Sequence, residues 1–118
     1  MIPLLLGLFA VGILVVVNWD DIVDWLKETI PQILSAIESE GLEGGLQILA
    51  RKVVEAGRKL IGFIQRLFYQ REDGHWIERT TEREIDESEV PADILAKVKA
   101  NKKVDITNDV GDMLQLQI

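Results

Sequence analysis

The sequence predicts a mainly α chain with a small α+β C-terminal part, and three observations predict it. The first is the run from Ile2 to Val17, which carries no charged side chain and is interrupted by Pro3, Gly7 and Gly12. The second is a pair of stretches, 19–37 and 46–68, whose apolar residues recur at three- and four-residue steps, the period of an amphipathic helix. The third is Asp73-Gly74 between segments rich in aromatic and β-branched residues, a hairpin pattern. Together they divide the chain into a hydrophobic membrane anchor over 1–19, an amphipathic helical hairpin over 20–66, and a β-hairpin and short-helix module over 67–118.

The anchor is argued from length and flanks. A helix built from this run has no polar face to show water, and at about 1.5 Å rise per residue the stretch from Pro3 to Trp19 spans roughly 25 Å, the short end of a bilayer core. Trp19 and Trp25 follow as candidate membrane-interface residues, because an indole joins an apolar body to one N–H donor. A cleaved signal peptide fits poorly: no basic residue precedes the run, and Ala10-Val11-Gly12 leads into further apolar residues. A hydrophobic helix buried inside a soluble oligomer is the competing assignment. Gly7 and Gly12 are five residues apart, not the four of a close-packing small-residue motif. With Lys27 and the bases from Arg51 to Arg71 all downstream, the positive-inside bias puts the C-terminal part in the cytoplasm.

Charge is segregated along the chain. The formal net charge of −7 resolves into −6 over 18–45, +5 over 46–71 and −6 over 72–118. There is no cysteine, which excludes disulfides, thiolate metal sites and thiol nucleophiles.

In the first acidic block Trp19, Ile22, Val23, Leu26, Ile30, Ile33, Leu34 and Ile37 form the apolar stripe, and Asp20, Asp21, Asp24, Lys27 and Glu28 a solvated face. The stripe keeps its phase across Pro31, so a kinked helix, or two helices meeting there with Thr29 as a cap, is expected. After Gly41, Gly44 and Gly45 a second helix is expected, with the packing seam Leu46, Ala50, Val53, Gly57, Leu60, Ile64 and Leu67. Its opposite face carries Arg51, Lys52, Arg58, Lys59 and Arg66, which would flank the acidic helix in an antiparallel αα-hairpin or lie against anionic headgroups. Nucleic acid is excluded as a partner by the acidic total and by the absence of aromatics interleaved with those bases.

Around Asp73-Gly74 the strands 67–72 and 75–85 are expected to pair. The second carries Glu78, Glu82 and Glu84 on one face and Arg79 and Arg83 on the other, so it reads as a solvent ribbon or an edge awaiting another chain. His75, the one histidine, has no second imidazole or thiolate beside it and reads as a surface residue. Ser88 to Pro91 open a short helix over 92–100; Val104 to Ile106 suit a brief strand, Thr107 suits a cap, and Leu114 to Ile118 alternate like a strand.

No catalytic, cofactor-binding or metal-binding constellation emerges. The expectation is a single-pass, membrane-anchored, non-enzymatic protein that holds a protein partner or its own homo-oligomer at a membrane, with membrane lipid as a further partner. Two alternatives remain: a holin-like or pore-forming effector, and a soluble subunit with its hydrophobic N-terminal helix buried in an oligomer.

Overall fold

A long antiparallel β-meander, not a helical hairpin, organises the chain in the computed structural model, which describes residues 13–16, 18–41 and 43–116. The elements run β1 (Ile13–Val15), α1 (Trp19–Ser39), β2 (Gly44–Glu55), β3 (Arg58–Gln70), β4 (Trp76–Asp86), a 3-10 turn (Glu87–Glu89), α2 (Ala92–Asn101), β5 (Lys103–Asp105) and α3 (Thr107–Leu114). The sheet order is β1-β4-β3-β2-β5. Strands β2 to β5 pair antiparallel, and β1 joins β4 in parallel with Ile13 opposite Glu82 and Val15 opposite Glu84. The fold is therefore α+β.

Strand β2 shows why the second helix does not exist. Leu46, Ile48 and Ala50 are buried while Gln47, Leu49 and Arg51 between them are partly exposed, a period of two. The heptad seam mixed both faces of this strand and the next: Leu46, Ala50 and Leu67 point into the core, whereas Val53, Leu60 and Ile64 belong to the opposite face by register. Gly57, expected at the crowded centre of the seam, lies in the turn between β2 and β3. Ala56 and Gly57 there have φ of 51° and 78°, the positive values that a two-residue hairpin turn uses to match strand twist. A Cβ on Gly57 would meet no atom within 4 Å, so substitution there strains the backbone without overpacking anything.

Helix α1 is continuous through Pro31, which is exposed on its outer side. Asn18 caps it by accepting a hydrogen bond from the Asp21 backbone N–H at 3.0 Å. Thr29, expected to cap a second helix, instead donates to the Trp25 carbonyl at 2.7 Å one turn earlier and accepts from Gln65 Nε2 at 2.6 Å. The buried stripe Ile22, Leu26, Ile30, Ile33, Ala36 and Ile37 packs onto one sheet face with Ile48, Phe63, Leu67 and Ile85. Ile94 and Val98 of α2, with Ile106 and Val110, join the same core. All three helices thus share one face. Among the described residues no helix packs on the second.

The membrane anchor is corrected on the same grounds. Residues 1–12 and Val17 lie outside the described residues; where the run is described, Ile13–Val15 is a strand and not a helix. No helix among the described residues is long and apolar enough to cross a membrane. The boundary placed at 66/67 falls inside β3.

Strands β3 and β4 pair antiparallel across Asp73-Gly74, but Gln70 opposes Trp76, so five residues and not two make the loop. Beyond β4 the chain forms α2, a short β5 beside Leu49 to Arg51, and α3. Leu114 closes α3 instead of opening a strand; residues 117–118 lie outside the described residues.

Candidate binding surface at the basic end of the sheet

The β2–β3 turn gathers cations that are scattered in sequence. Register places Val54 opposite Lys59 and Glu55 opposite Arg58, with Lys52 two residues back along β2. The connection between α2 and β5 arrives beside them, because the Lys52 backbone N–H donates to the Lys102 carbonyl at 2.9 Å and Arg51 opposes Lys103. Lys52, Arg58, Lys59, Lys102 and Lys103 are all exposed. Among the described residues none of these five makes an ion pair within 4.0 Å. Two acids lie among them, Glu55 and Asp86. The Asp86 carboxyl is held below its ordinary range, first by the Ser88 backbone N–H, then by the Ser88 hydroxyl, with a smaller contribution from Arg58. Near the turn Val54 is 67% exposed, an apolar side chain opposite Lys59 and two residues from Lys52.

Behind this surface the second sheet face is cross-linked by charge. Arg51 on β2 crosses over β3 to Glu82 on β4: Nε donates to Oε2 at 3.1 Å and Nη2 to Oε1 and Oε2 at 3.0 and 2.9 Å. The crossing is possible because Gly62 stands beneath it. A Cβ at that position would sit 2.3 Å from Glu82 Oε2. A second link joins Arg66 to Glu78 and to Gln47, which in turn donates to Asp105. The positive block was expected to pair with the acids of the first helix; two of its arginines pair with β4 instead.

The opposite end of the sheet carries aromatics. Phe68 and Trp76 lie with ring centroids 6.5 Å apart, and the Arg66 guanidinium stands 5.9 Å from the Phe68 centroid. Trp76 is 58% exposed. His75 beside it is exposed, with Nδ1 3.1 Å from the Asp73 carboxylate. The Asp73 carboxyl is lowered from its ordinary value, first by the His75 backbone N–H and then by the imidazole.

Of the residues expected to serve a site, the structure brings Lys52, Arg58 and Lys59 together and separates Arg51 and Arg66 into ion pairs. Trp19 packs edge-on against Phe63 at 5.4 Å, and Trp25 lies under the Arg83 guanidinium at 4.7 Å, so both indoles join α1 to the sheet. Lys102 and Lys103 were not among the expected residues, although the pair directly follows the end of a helix signal. Among the described residues no group of three or more His, Asp or Glu side chains is placed to hold a metal ion. No family model, curated protein or solved structure matches the chain.

Proposed function

We propose that this chain is a non-enzymatic binding module that docks peripherally on an anionic lipid surface by the basic end of its sheet, and there holds a partner or further copies of itself. The observation that supports it is the group of five exposed cations that strand register gathers at this end of the sheet, with exposed Val54 on the same strand end. Each Lys or Arg near such a surface contributes about 1 kcal/mol, so five cations less the two nearby acids contribute about 3 kcal/mol to attachment. The apolar tip favours the headgroup boundary over a purely polar polyanion. Because the whole chain carries −7, an anionic surface repels its other sides and selects this end.

Co-sedimentation with phosphatidylcholine vesicles, with and without phosphatidylserine, tests the reading. Binding to the anionic vesicles alone, lost at high salt, is expected, without release of an entrapped dye. Replacing Lys52 and Lys59 together by Gln removes about 2 kcal/mol, a loss of roughly 30-fold in partitioning. Equal binding to both vesicle types sinks the proposal, and dye release transfers the case to a lytic effector.

A further inference from the structure

Helix α1 turns a charged face away from the sheet. Between the buried Ile22, Leu26 and Ile30, the residues Asp20, Asp21, Asp24, Lys27 and Glu28 are exposed. Among the described residues none of these five makes an ion pair within 4.0 Å. Four acids less Lys27 leave this face at −3, and the basic end of the sheet, five cations less Glu55 and Asp86, carries +3. No ion pair joins the two surfaces within one molecule. Trp19 packs on Phe63 and Gln65 donates to Thr29, so the first half of α1 lies over the middle of β3, whereas Arg58 and Lys59 stand at the start of that strand, beyond Leu60.

We propose that the acidic face of α1 receives the basic end of a second copy of this chain, so that copies associate head to tail. A partner for this face must present a compact positive surface, and every copy of the chain carries one of matching charge. The contact is heterologous. Each joined pair keeps one acidic face and one basic end unused, so the association continues into an open row instead of closing at a dimer. Such a row ends in one free basic end, the part that the reading above places on lipid; the pairing goes beyond that reading and does not rest on it.

Exposed ion pairs contribute about 0–1 kcal/mol each, so a contact built from a few of them is weak and depends on protein concentration. Salt governs it. The screening length falls from about 30 Å at about 10 mM salt to about 3 Å at about 1 M, so the attraction acts during approach in the first case and only between touching groups in the second. Two chains that each carry −7 repel one another as wholes, which penalises every mutual orientation except the one that brings the opposite patches together.

Sedimentation velocity on the full chain, with no lipid present, tests this. The average mass is expected to rise with protein concentration in low salt and to return to that of the monomer in high salt. Two variants then divide the contact. Asp20→Asn with Asp21→Asn and Asp24→Asn neutralises the acidic face, and Lys52→Gln with Arg58→Gln and Lys59→Gln neutralises the basic end. Each variant alone is expected to stay monomeric in low salt, while their equimolar mixture forms a particle of twice the monomer mass and stops there, because one intact face meets one intact end. A monomeric parent chain in low salt, association of either variant alone, or a mixture that stays monomeric or grows past the dimer overturns the proposal. Because no vesicle is present, that failure is distinct from a failure to bind lipid.

Discussion

The two faces of the sheet are made by the same three long strands and held by different physics. On one face Ile48, Phe63, Leu67 and Ile85 meet the helices, and cohesion there comes from apolar area removed from water, which is non-directional and tolerant of small shifts. On the other, arginines reach across strands to carboxylates over Gly62, and cohesion depends on the position of a few atoms. The first face sets how much stability the molecule has; the second sets which strands sit beside which.

The largest effect is expected on the apolar face. Phe63 is fully buried and touches the Trp19 ring, so Phe63→Ala should lower unfolding stability by about 3–5 kcal/mol in urea denaturation. A loss under 1 kcal/mol would mean that α1 is not seated as described. Gly62→Ala tests the charged face. The new methyl displaces the Glu82 carboxylate and strains the Arg51 clasp, for an expected loss of about 1–3 kcal/mol. In a Glu82→Ala background the same substitution should become neutral or stabilising, because the remaining neighbour, Arg51 Cγ at 3.4 Å, is at ordinary contact distance and alanine orders more readily than glycine in a strand; additive losses would show that the clasp is not the cause. The smallest effect sharpens the comparison from within the apolar face. Gln65 is fully buried there, and its Oε1 has no hydrogen-bond partner among the described residues. Gln65→Met should raise stability by about 1 kcal/mol, since Thr29 keeps its bond to the Trp25 carbonyl. A marked loss would reveal a partner for that oxygen.

Helix α1 was legible in the sequence because its apolar residues repeat at one period along its 21 residues, with mostly polar residues between them. The pairing across Asp73-Gly74 and the short helix after Pro91 were legible too, each from local chemistry; Thr107, expected as a cap, is instead the first residue of α3, and its hydroxyl bonds Asp105 and the Ile48 backbone N–H. Strands β2 and β3 were not. Leu46, Ala50, Val53 and Leu60 satisfy a helical step by chance, since β2 is apolar on both faces and offers a match at nearly any spacing. Ala56-Gly57 is a weak hairpin signal beside Asp73-Gly74, yet it is the pair with positive φ at both residues, whereas of Asp73-Gly74 only Gly74 has positive φ. The glutamates of β4 resisted interpretation for a different reason. The countercharge of Glu82, Arg51, lies 31 residues away and two strands over, and a period read along one strand carries no information about its neighbours. Of the binding surface, Lys52, Arg58 and Lys59 were legible as a charge run; the contribution of Lys102 and Lys103 arises from the β2–β5 pairing.

The parallel pairing of β1 with β4 has a consequence for synthesis. Ile13 meets Glu82, a separation of 69 residues, whereas β2 meets β3 through a two-residue turn. A ribosome adds about 5–20 residues per second, so the Ile13–Val15 segment waits roughly 3–14 s before its neighbouring strand has been made. During that interval the meander cannot shelter it. Chaperone occupancy on nascent chains of increasing length should therefore fall sharply once β4 has cleared the exit tunnel.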